Sequence, residues 1–71
     1  MRSASGRVLM VQESRLRLLQ DDGRGLTLVL SPAAAIEPQD LPPLTHRRVR
    51  VAWRMAPGMT GGTAHRIELL D

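Results

Sequence analysis

The chain has 71 residues, which allows one domain and one hydrophobic core, close to the smallest size at which a core holds without staples. It has no cysteine, which excludes disulfides and thiolate metal sites, and its two histidines, His46 and His65, are too few for a metal cluster. Ten basic residues, all arginine, against seven acids give a net charge of +3; with no lysine, tyrosine or cysteine to titrate, the pI of 11.4 overstates this mild excess.

The hydrophobic period is two along most of the chain, which is a strand signal. Residues 1–5 are small and basic and are expected to be disordered. Gly6 opens the first run, residues 7–13, in which alternation places Val8 and Met10 inward and Leu9 and Val11 outward. The apolar stretch from Val8 to Val11 is too short for a signal peptide, which needs roughly 7–15 residues, or for a membrane helix of roughly 20. A cytoplasmic protein with no membrane partner is the expectation, and the absence of cysteine fits a reducing compartment.

The second run, residues 15–20, alternates cleanly, with Leu16 and Leu18 inward and Arg15, Arg17 and Leu19 outward. Asp22-Gly23 follows. An Asp-Gly pair between alternating runs predicts a tight hairpin, because both residues tolerate positive φ. The third run, residues 26–30, presents Leu26, Leu28 and Leu30 inward and leaves Val29 outside.

Residues 31–45 break the period. Pro32, Pro38, Pro42 and Pro43 exclude a long helix or a central strand. Two short helical turns fit instead, one with Ser31 as N-cap before Pro32, the other starting at Pro38. Ile36, Leu41 and Leu44 would then plug one end of the core.

The fourth run, residues 47–55, has Val49, Val51, Trp53 and Met55 on one face and Arg48, Arg50, Ala52 and Arg54 on the other. Residues 56–62 are a loop by composition. The last run, residues 63–70, turns Ile67 and Leu69 inward, and Ala64 breaks that phase, so a bulge is expected near His65.

Three meandering strands, a short irregular or one-turn helical crossover and a final hairpin resemble the OB fold, of the kind seen in small bacterial proteins. The resemblance spans residues 6–70 and rests on the order of elements, not on a specific motif. An SH3-like barrel or an open β-roll would give a similar string. Closure is favoured because it removes exposed strand edges. The resemblance implies that the first strand lies between the fourth and the second. It also implies that the loops at residues 12–15 and 56–62 share the ligand-holding end of the barrel, which makes Glu13 and Met59 candidate contacts.

Two surfaces could carry a function. Arg48, Arg50 and Arg54 share a face, and Arg15 and Arg17 would extend it; guanidinium forks suit phosphate. A solvated outer face is the plainer meaning of the same stripe. Stacking platforms for single strands are missing, since there is no phenylalanine or tyrosine and Trp53 falls inward. The second surface is apolar: Leu9, Val11, Leu19 and Val29 point away from the core and would form an interface if contiguous. No nucleophile–base pair, phosphate-cradling glycine motif or metal-ligand spacing points to an enzyme, and no cofactor is expected. A haem-carrying barrel would want a tyrosine. The sequence reading is therefore a non-catalytic OB-like binding module, foremost a protein-interaction or self-associating (homodimeric) domain. Its alternative is weak, phosphate-driven nucleic-acid binding through the arginine-rich strand.

Overall fold

The structure is a computed structural model that describes residues 1–58 and 61–71. It has five strands, β1 (Arg2–Gln12), β2 (Arg15–Gln20), β3 (Gly25–Leu30), β4 (Arg48–Met55) and β5 (Gly62–Leu69), with two 3-10 turns, Pro38–Asp40 and Pro42–Leu44, between β3 and β4. The strands close into a barrel in the order β1-β2-β3-β5-β4, the OB-like topology, and this removes the open-roll alternative. No helix among the described residues is long and apolar enough to cross a membrane.

Tight turns make the meander. At the β2–β3 turn Gly23 takes φ 91, its N–H donates to the Gln20 carbonyl at 2.9 Å, and the Asp22 carboxylate accepts from the Arg24 N–H at 2.9 Å. Both halves of the Asp-Gly signal are thus used. The β1–β2 turn is only Glu13-Ser14, and Glu13 is held at φ 55.

β1 is long because it serves two neighbours. Its first half pairs with β4, from Arg2↔Trp53 to Arg7↔Arg48, and its second half with β2, from Gly6↔Gln20 to Gln12↔Arg15. Residues 2–5, expected to be disordered, therefore belong to the strand, and Ala4 is buried in the core. Arg2, Ser3, Ala4 and Ser5 carry little hydrophobic signal, so only the pairing with β4 reveals them.

The core is the inward row of each strand: Val8, Leu16, Leu18, Leu28, Val49 and Val51 are all but inaccessible. Leu41 plugs it from the crossover, with Ile36 and Leu44 packed alongside, as expected. The Pro38 turn also forms, and Asp40 accepts from the Glu37 N–H at 3.0 Å. Ser31 differs: its Oγ accepts from the Ala33 N–H at 3.1 Å, but residues 32–36 form turns and bends rather than helix.

Two bulges set which side chains face out. In β5 the register passes from Ala52↔Arg66 to Trp53↔Ala64, so His65 is the extra residue, as the sequence predicts. In β1 it passes from Val8↔Leu18 to Met10↔Arg17, so Leu9 is extra. A bulge inverts the alternation beyond it. Met10, expected inside, is 50% exposed, and Val11, expected outside, packs half-buried against the core. Met55 and Leu69 lie on inward rows yet are also exposed. Met55 extends past the last β1 partner of β4, and Leu69 past the three-pair contact of β5 with β3, so each has a strand on one side only.

Candidate anion-binding face

The outer face of β2 carries Arg15 and Arg17, both exposed. On the β1 side they stand opposite Gln12 and Met10, and on the β3 side opposite Val29 and Thr27. Met10 reaches this face only because the Leu9 bulge turned it out. Met10, Gln12, Arg15, Leu16, Arg17 and Thr27 line a hollow of about 230 Å³. A second hollow of about 140 Å³ lies on the other side of Arg15, between Gln12, Glu13, Ser14 and Val29. Arg15 is a wall of both.

Arg17 is held in place. Its NH1 donates to Thr27 Oγ1 at 2.8 Å, and its guanidinium lies where a Cβ on residue 25 would stand. Gly25 thus makes room for the arginine to lie flat across β3. A guanidinium fixed in this way keeps further N–H donors free for a ligand.

The arginines of β4 are in a different state. Arg48 bonds Asp21 at 2.7 Å and Arg50 bonds Glu68 at 3.3 Å, while Arg47, just before the strand, bonds Asp71 at 3.1 Å. The hydrogen bond and charge of Asp21 push the Arg48 pKa above its ordinary value. Arg15, Arg17, Arg54 and Arg66 have no carboxylate within ion-pair distance among the described residues. The stripe read from the sequence is therefore divided: Arg48 and Arg50 are neutralised, whereas Arg15, Arg17 and Arg54 are available.

The four outer apolar residues are not brought together. Val11 has turned inward, and Val29 is half-buried opposite Arg15. Leu19 stands opposite Arg7 and Gly25, with Arg17 between it and Arg15 on the same face of β2. Leu9 and Leu19 remain exposed, at 41% and 40%.

The two candidate loops do not share one end. Ser14 accepts from the Leu30 N–H at 2.7 Å, while β5 starts alongside Leu28. β3 and β5 run parallel, and Gly61, just before β5, lies against Thr27, so Gly61 and Ser14 flank the Arg15–Val29 rung from opposite sides. Glu13 lines the smaller hollow. Met59 lies outside the described residues.

Sequence reasoning missed Met10, Gln12, Thr27 and Arg66. Thr27 was legible as the polar residue between Leu26 and Leu28; Met10 was not, since an unbroken apolar run has no phase. Trp53, 9% exposed, is a core residue with the Arg2 guanidinium 5.7 Å from its ring centre, and it offers no stacking platform. No group of three or more histidines and carboxylates among the described residues is placed to hold a metal ion. In comparisons with known proteins, no family model, no curated protein and no solved structure matches this chain.

Proposed function

We propose that this chain is a non-catalytic binding module that takes the phosphate backbone of a nucleic acid on the outer face of β1, β2 and β3. The observation that carries the reading is the contrast between the arginines. Those of β4 are tied to Asp21 and Glu68, whereas Arg15 and Arg17 line an open hollow with Met10, Gln12 and Thr27. With no aromatic on this face, affinity comes from charge and is tolerant of sequence.

The test is fluorescence anisotropy with a labelled single-stranded oligonucleotide of about 12 nucleotides. The two arginines of β2 alone contribute about −1.4 to the salt slope, so raising salt from about 50 to about 200 mM should weaken binding at least roughly sevenfold. Arg15→Glu with Arg17→Glu should abolish it. Binding that survives both changes overturns the reading.

A second reading, a homodimer or a protein partner, is favoured by the exposure of Leu9 and Leu19 on neighbouring strands. It predicts an assembly that is insensitive to salt and lost in Leu19→Asp, measured by light scattering. A monomer at all concentrations removes it.

A further inference from the structure

We infer that the phosphate path does not stop at β2 but crosses the β3–β5 seam to Arg54 and Arg66, so that the ligand is a single strand lying across the β-strands. This deepens the reading above and rests on it. The strand registers carry the inference. Arg15 pairs with Val29, Val29 with Thr63, and Thr63 with Arg54. These four residues form one rung across β2, β3, β5 and β4.

All four face outward, because their neighbours Leu16, Leu28, Ala64 and Trp53 face the core. Val29 and Thr63 are half-buried and make a low floor between two arginines. Arg66 stands opposite Ala52, two residues before Arg54 on β4, so Arg54 and Arg66 are diagonal neighbours on that surface. The His65 bulge is what restores Arg66 to the outer face after the inward Ala64. Neither arginine has a carboxylate partner among the described residues; Glu68, one rung further on, is bonded to Arg50 instead. Two pairs of free guanidiniums therefore end a neutral floor.

Three inter-strand steps of about 4.8 Å separate Arg15 from Arg54, roughly 14 Å along the sheet. A stacked strand advances about 3.4 Å per phosphate, so the rung spans about four phosphates, fewer if the strand is stretched. A single backbone laid along the rung meets the β2 pair at one end and the β4–β5 pair at the other. A duplex carries two backbones around a groove that must be entered, and nothing on this low floor projects into one.

The experiment measures anisotropy of single-stranded oligonucleotides of about 2 and about 12 nucleotides, and of a duplex of the longer length, on the wild type and on Arg54→Gln with Arg66→Gln. Both side chains are exposed, and Trp53 fluorescence reports that the fold is kept. Four contacts give a salt slope near −2.8, so the long single strand should weaken about 50-fold between about 50 and about 200 mM salt. The double variant should lower the slope to about −1.4 for the long strand and leave the short one unchanged. An unchanged slope in that variant, with binding still lost in Arg15→Glu and Arg17→Glu, overturns the crossing path and leaves the β2 site standing. Tighter binding of the duplex overturns the single strand. Failure of every oligonucleotide, or displacement by an acidic polypeptide alone, overturns the function itself.

Discussion

Glu13 is the most conspicuous residue near the site. It occupies the first position of a two-residue hairpin turn at φ 55, where glycine is the favoured residue, and it lines the hollow that Arg15 walls. Left-handed backbone costs an ordinary residue roughly 1–2 kcal/mol. Glu13→Gly should therefore stabilise the fold, offset in part by the roughly 0.4–1 kcal/mol that glycine's freedom adds to the unfolded chain. Urea unfolding should show a net gain of up to about 1.6 kcal/mol. The same change removes a negative charge beside Arg15 and should tighten oligonucleotide binding. Glu13→Gln separates the effects, because it removes the charge and keeps the strain. If Glu13→Gln binds no more tightly than the wild type, the carboxylate does not act on the site. The sequence flagged Glu13 only as a loop contact; its backbone strain is a product of closing the turn in two residues and leaves no mark in composition.

At the scale of elements, the hairpins, the proline-broken crossover and the β5 bulge were legible, because each has a local cause: Asp22-Gly23, four prolines, and Ala64 out of phase with Ile67. The β1 bulge was not. Val8, Leu9, Met10 and Val11 are all apolar, so alternation alone cannot say where the phase resets. The bulge reverses what simple alternation predicts for two residues, and that reversal is measurable. Met10→Asp puts a charge on an exposed position and should change stability by no more than about 0.5 kcal/mol. Val11→Asp puts the same charge against the core and should cost about 1–3 kcal/mol or more. Strict alternation gives the opposite order, so urea midpoints for the two variants decide whether the phase changes at Leu9. Met10→Asp should also weaken oligonucleotide binding, since it sets a carboxylate opposite Arg17.

Over the whole molecule, the number of arginines was legible and their availability was not. Arg48 is bonded to Asp21, 27 residues away, and Arg50 to Glu68, 18 residues away, so the division of the stripe into paired and free cations is made by the barrel. Both ion pairs are exposed on either side, and pairs of that kind add little to stability. Their stronger effect is on what the surface attracts. They take Arg48 and Arg50 out of the available positive charge and leave Arg15, Arg17, Arg54 and Arg66 without a carboxylate partner among the described residues, although the chain as a whole is only mildly basic, at +3. Removing the acids should then redirect binding without unfolding the protein. Asp21→Asn with Glu68→Gln raises the net charge by two and releases Arg48 and Arg50 on β4. Each released guanidinium that meets a phosphate should add about 0.7 to the magnitude of the single-strand salt slope. Low-salt affinity should rise, and Arg15→Glu with Arg17→Glu, which silences the wild type, should leave residual binding in this background. A slope that does not change when the acids are removed would mean that Arg48 and Arg50 lie off the ligand's path whether or not they are paired, and the arginines of β2 would owe their role to position alone.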